Sequence, residues 1–126
     1  MTWLSFALHV GIGFPLGLVA ANFGEWVIHK RILHERGKRK GSFWNFHWYD
    51  HHADSRKNGM IDAAYHTRWY RAGWNPRSKE IAALAVGFPF YLALLFVLPG
   101  VAAAFVYSTF NYYYVHKRSH VDPAWA

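Results

Sequence analysis

The sequence predicts an all-α integral membrane protein with three transmembrane helices, one single span plus a helical hairpin, and a cytosolic histidine-rich helical cap. Three observations predict it. Residues Trp3 to Phe23 form a run of 21 without Asp, Glu, Lys or Arg, and Ile81 to Val115 a second run of 35. All 14 Lys and Arg lie within 30–79 or at 117–118. Nine His outnumber the seven Asp and Glu, and most of them cluster next to the apolar runs.

Length comes first. The 126 residues suit one domain, 1–126. A soluble domain this small could not bury a composition that is 53% hydrophobic and 20% aromatic. Mean hydropathy is nevertheless close to zero, because apolar and strongly basic segments average out. There is no Cys, so disulfides and thiolate metal sites are excluded.

The first apolar run is long enough, at about 1.5 Å per residue, to cross roughly 30 Å of hydrocarbon. It does not read as a convincing signal peptide: Met1-Thr2 carries no basic side chain and the run is too long. The second run is too long for one crossing, and Pro99-Gly100 near its middle marks a helical turn. Spans are therefore expected at about 3–24, 81–98 and 101–115. With the N-terminus outside, every Lys and Arg falls on one side, which the positive-inside rule makes cytoplasmic.

Between the spans, residues 25–34 continue as helix out of the membrane until the basic break Gly37 to Ser42. An aromatic helix is expected from Phe43 to Ala53. An interfacial amphipathic helix is expected from Ile61 to Ala72, with Tyr65, Trp69, Tyr70 and Trp74 at the headgroup level and Arg68 and Arg71 on phosphates.

Seven His form three clusters: His29 and His34; His47, His51 and His52; His116 and His120. In the three-span reading all lie at one membrane face. His47 and His51 are four residues apart and share a helical face, as do His116 and His120, so each pair suits one ion. His52 points about 100° from His51 and suits a second ion. His29 and His34, five apart, diverge by about 140° on a regular α-helix. They face one ion only if the helix ends or distorts between them. Protonated, such a gathering would repel itself and resist desolvation, so bound metal is the expected compensation. Glu25, Asp50, Asp54 and Asp122 are candidates for orienting the rings, although ordinary surface charge accounts for each of them better. His9 and His66 read as surface or satisfied interior residues.

The clusters H-x4-H, H-x3-H-H and H-x3-H at the ends of apolar spans resemble the fatty acid hydroxylase/sterol desaturase superfamily. The stretches Glu25 to His34, Asp50 to Asp54 and His116 to Pro123 carry the resemblance, which covers about residues 20–122. It implies a membrane scaffold with a non-haem di-iron centre held by His29, His34, His47, His51, His52, His116 and His120. It also implies O2 as co-substrate and hydroxylation or desaturation of a fatty acyl, sterol or carotenoid C–H bond. Imidazole alone does not select iron, and zinc is a possible substitute. The superfamily pattern carries a further histidine cluster shortly after the third. The chain ends at Ala126, so a C-terminally incomplete member is expected, holding one ion, or two weakly.

No flavin, haem or iron–sulfur motif is present, so electrons would come from an external cytochrome b5- or ferredoxin-like donor. Lys38 to Lys40 and Arg68 to Lys79 would provide its basic docking surface. The alternative is a non-enzymatic histidine-rich membrane metal-binding protein. Metal transport is disfavoured because only His9 lies within a span. Nucleic acid is not an expected partner, because the positive-inside rule already accounts for the +7 charge.

Overall fold

Helix α1 starts where Thr2 accepts a hydrogen bond from the Ser5 N–H and runs over Trp3–Val27. In this computed structural model, which describes residues 2–68, 70 and 73–125, every element is helical and no strand occurs among the described residues. Helix α1 continues without a break into a π-helical segment, Ile28–Arg36. Turns then carry the chain to a second π-helical segment, Phe46–His52, which leads into α2 (Ala53–Lys57). A single 3-10 turn, Ala63–Tyr65, follows. Helix α3 (Pro76–Ala85) opens with Asn75 accepting from the Ser78 N–H and Pro76 in its first turn. Pro89, which cannot donate a helical hydrogen bond, separates α3 from α4 (Phe88–Leu95) at Val86-Gly87. Helix α5 (Pro99–Val121) completes the chain.

Small residues set the helix packing. A Cβ on Gly17 would lie 2.7 Å from the Ala104 Cβ, and one on Gly100 would lie 2.4 Å from the His9 carbonyl oxygen. This close approach joins α1 and α5 along their apolar lengths. Contacts advance together along both helices, from Gly100 beside His9 to Gly17 beside Ala104, so the two helices run parallel. Helix α4 runs antiparallel to α5: Tyr91 meets Phe105 at 5.5 Å and Phe88 meets Phe110 at 5.9 Å. Parallel α1 and α5 require the chain between them to return to the starting end, and α3–α4 makes that return. All the chemistry-bearing chain ends are thereby gathered at one end of the bundle.

Two helical stretches, Trp3–Arg36 and Pro76–Leu95, are long and apolar enough to cross a membrane. Helix α5 is long enough but turns polar from Ser108 onward. Trp3 (89%), Val19 (70%) and Phe96 (88%) are exposed, whereas the largest fully buried side chains among the described residues are His51 and Ser55. An apolar exterior around a core that holds His47, His51, Asp62 and His120 departs from the arrangement of a water-soluble domain.

Several expected boundaries change. The aromatic helix starts at Phe46 rather than Phe43, because Ser42 and Trp44 are occupied in turns. No helix spans Ile61 to Ala72. The Asp62 side chain caps only the turn Ala63–Tyr65, and the chain is non-helical at 67 and 68. Trp69, Arg71 and Ala72 lie outside the described residues. Tyr65 is buried at 3% exposure and does not reach an interface. The hairpin turn falls at 96–98, and Pro99 begins α5 instead of sitting in the turn.

Candidate metal centre

The seven clustered histidines come together as two groups. His29, His34, His47 and His52 form one, and His51, His116 and His120 the other; within each, one ligand atom per residue lies within 4.8 Å of all the others. The π-helical segments explain the first group. Hydrogen bonds from i to i+5 widen each turn, so residues five apart come round to nearly one side. His29 and His34, divergent on an α-helix, approach to 4.6 Å between ring centroids. His47 and His52, also five apart, do the same at 4.6 Å. The helix distorts between the first pair, which was the condition for sharing an ion. The expected pairing of His47 with His51 is not the grouping found: His47 joins His52, and His51, although its ring lies 5.3 Å from His47, joins His116 and His120 of α5. His51 does part from His52, and His116 stays with His120, as the spacing indicated. The groups adjoin, with the His51 ring 5.3 Å from His47 and 5.2 Å from His52.

The rings are anchored from behind. Buried Asp62 lies 2.7 Å from His51 Nδ1, and a proton donated from Nδ1 to Oδ2 frees Nε2 for a ligand. His120 Nδ1 donates to the Met60 carbonyl at 2.8 Å, while the Asp62 N–H donates to the His120 carbonyl at 3.1 Å. Segment 58–62 thus clamps His51 and the end of α5. It turns through two left-handed residues, Gly59 (φ 63°) and Met60 (φ 72°). Sequence reasoning missed Asp62, which lies 11 residues from the ring it serves. Its one local signal is a side-chain cap on the turn Ala63–Tyr65.

None of the four carboxylates proposed from sequence has that role. Glu25 lines an apolar cavity and hydrogen-bonds no histidine among the described residues. Asp50 is exposed, Asp54 accepts from Asn58, and Asp122 pairs with Arg118 at 3.1 Å. His9 Nδ1 donates to the Ser5 carbonyl within its own helix, and His66 is exposed. Neither joins a group.

Burial favours the neutral form of several of these rings. Burial, then the neighbouring His52, His51, His29 and His116, hold the His47 imidazole far below the usual histidine range. Burial and its neighbours, His51 first, push His52 down to about 4. Burial, then His51, lowers His116 strongly. Burial also lowers His120, against the opposing bond to Met60. Burial alone would raise the Asp62 carboxyl; the bonds from His51 and the Ala64 N–H bring it below its ordinary value. Neutral imidazoles present the lone pairs that metals bind.

The donor geometry fits a metal. His34 Nε2 faces His52 Nε2 at 3.1 Å, and His116 Nε2 faces His51 Nε2 at 3.1 Å. Two nitrogens, each about 2.1 Å from one ion, lie about 3 Å apart when their bonds are near perpendicular. Buried His47 Nε2 has no hydrogen-bond partner. An orphaned buried nitrogen costs free energy that an ion would offset.

Beside the first group a cavity of about 370 Å³ opens between α1, α3, α4 and α5. Ala21, Leu84, Phe90 and Phe105 line its apolar part, while His29 and His47 stand in its wall. Comparison with protein-family models, curated proteins and solved structures finds no match.

The basic surface expected for a partner is modified too. Arg77 is buried: it donates to the Tyr113 hydroxyl at 2.8 Å and to the Thr67 carbonyl. It braces the loop against α5 and is not available for docking. Lys38 lies over the Trp48 ring at 4.4 Å, and Lys79 lies over Phe46 at 5.2 Å.

Proposed function

We propose that the chain is a membrane-embedded oxidoreductase in which two histidine-held iron ions use O2 to hydroxylate or desaturate a lipid C–H bond. One observation carries this reading: two adjoining groups of imidazoles, with the first standing in the wall of an apolar cavity. A protein that only stores metal has no use for an apolar chamber beside its ligands, whereas an oxidase must hold an unreactive carbon next to its metal.

His29, His34, His47 and His52 would hold one ion, and His51, His116 and His120 the other. Bound iron would supply the activation of O2 and the oxidising power for an unactivated C–H bond. The chain's own residues do the rest. Asp62 and the Met60 carbonyl fix which nitrogen of His51 and His120 faces inward. Ala21, Leu84, Phe90 and Phe105 admit an acyl or isoprenoid chain and keep water away. The apolar outer faces of α1 and α4 would sit in lipid, so the substrate could enter from the bilayer. Helix α5 would make the third crossing, with the histidine groups at the cytoplasmic face. Hydroxylation consumes one O2, two protons and two electrons per C–H bond and releases water. The electrons would come from an external cytochrome b5- or ferredoxin-like donor.

The test is to express the chain with its native membrane lipids, measure iron and zinc per chain, and analyse cell lipids by mass spectrometry. Bound iron with lipids heavier by one oxygen, or lighter by two hydrogens, is the expected result. Metal bound tightly with an unchanged lipid profile would favour a non-enzymatic metal-binding protein. No bound metal would sink both readings.

A further inference from the structure

Glu25 lies four residues before His29 but does not bond to its ring. It stands at the inner edge of the first apolar span, in the wall of the cavity beside the first histidine group. Its side chain makes no hydrogen bond or ion pair with any described residue, and it joins neither histidine group. An ionisable side chain at membrane depth without a protein partner is costly to keep and marks a place where something else binds.

Other polar groups of the wall are occupied. Glu80 accepts from the Tyr65 and Tyr112 hydroxyls. Thr109 donates to the Phe105 carbonyl at 2.9 Å and lies 3.3 Å from the Tyr91 hydroxyl. Glu25 is left as an acceptor without a donor. Two carboxyl groups line the cavity and neither Lys nor Arg does. A lipid carboxylate or phosphate would meet like charge there and no counter-ion, and an ammonium group would lie beside the metal ions. An uncharged hydroxyl satisfies Glu25 without bringing a charge. Polarity is also graded along the cavity. On α1, Ala21 lies one turn before Glu25 and His29 one turn after it, about 6 Å each way. Phe105 and its neighbour Phe90 lie deeper in the bundle, because α5 meets α1 at Gly17 beside Ala104 and Tyr91 packs on Phe105. A few placed polar groups in an otherwise apolar pocket set a ligand's orientation.

We propose that Glu25 is the head-group-binding residue of this cavity, accepting a hydrogen bond from the hydroxyl of an uncharged long-chain lipid whose tail runs towards Phe90 and Phe105. This assignment rests on the reading of the cavity as the lipid chamber of the metal centre, and it narrows the substrate to lipids that carry a hydroxyl. With that hydroxyl at Glu25, one turn from His29, the carbons nearest the metal are those beside the hydroxyl and not those at the far end of the tail.

The experiment uses the full chain in lipid nanodiscs with Zn²⁺, which has no redox chemistry and so permits binding without turnover. A photoreactive long-chain alcohol is crosslinked to the protein and the labelled peptides are mapped by mass spectrometry. Dodecanol, its methyl ether and dodecanoate then compete with the label; the ether keeps the chain and the oxygen but has no O–H to donate. Expected are label on the cavity-lining segments and competition by dodecanol roughly tenfold or more better than by the ether, as a hydrogen bond to a charged acceptor gives. Dodecanoate should compete less well than dodecanol. Glu25→Leu, which leaves an apolar wall, should abolish the preference for alcohol over ether. Equal competition by alcohol and ether in the wild type, or a preference that survives in Glu25→Leu, would overturn the role of Glu25 while leaving a lipid-binding cavity. Dodecanoate competing as well as dodecanol would overturn the uncharged head group. Label absent from the cavity would overturn the lipid chamber itself, and the role of Glu25 with it. Should Glu25→Leu fail to fold, the comparison of alcohol with ether in the wild type decides alone.

Discussion

Replacing Asp62 by Asn tests how the second histidine group is organised. The carboxylate is buried at 3% exposure, its Oδ2 lies 2.7 Å from His51 Nδ1, and its Oδ1 accepts from the Ala64 N–H at 2.8 Å. In Asp62→Asn the amide oxygen can keep the Ala64 bond, but the amide nitrogen then faces His51. An N–H facing Nδ1 demands that Nδ1 be the acceptor, which places the ring proton on Nε2. That nitrogen is the one directed at His116, 3.1 Å away, and the proton would block it as a ligand. Loss of an outer partner alone lowers metal affinity about 10- to 100-fold, or about 1.4–2.8 kcal/mol. The tautomer change should bring the effect to the upper end. The assay is competition with a chromophoric chelator for Zn²⁺, with Asp54→Asn as an exposed control. One ion should weaken about 100-fold in Asp62→Asn, with the other unaffected and the control at wild-type affinity. Two undisturbed ions would refute the claim that Asp62 sets the His51 tautomer.

Three further outcomes follow from the geometry. Alanine substitution of His29, His34, His47 or His52 should remove one and the same ion, and of His51, His116 or His120 the other; metal counts and double mutants within and across groups would show it. Because the folded protein holds His47, His52 and His116 below the ordinary value of about 6.5, it binds fewer protons than the unfolded chain below that pH. The metal-free fold should therefore keep its full histidine contribution above about pH 6.5 and lose stability as pH falls towards the His52 value of about 4, read from thermal unfolding in detergent. Gly17→Ala should destabilise by about 1–3 kcal/mol, since its Cβ would meet Ala104 at 2.7 Å, whereas Gly24→Ala meets nothing within 4 Å and should be neutral or slightly stabilising; denaturation in mild detergent compares the two.

Much of this was legible in the sequence, because it depends on properties that hold residue by residue. Charge-free runs of sufficient length predict apolar helices wherever they occur, and Trp3–Arg36 and Pro76–Leu95 bear this out. The histidine spacings picked out all seven residues that gather into the two groups. The separation of His51 from His52 and the pairing of His116 with His120 followed from regular helical geometry, because both hold on α- and π-helices alike.

Tertiary structure alone decided how those seven residues divide. A π-helix has no sequence signature of the kind hydropathy provides, since the widened turn is held by packing against the rest of the site. Only that widening brings His29 to His34 and His47 to His52. Asp62 and Glu80 were equally invisible, because the rings they face lie 11 and 36 residues away. Arg77 and Tyr65 looked like surface residues by type, yet the loop folds them inward onto Tyr113 and Glu80. Periodicity along one element can indicate which face is apolar, but not which partner a distant element will bring to it. In this protein the sequence determined what gathers at one end of the bundle, and the packing of α3, α5 and the 58–62 turn determined what each residue does there.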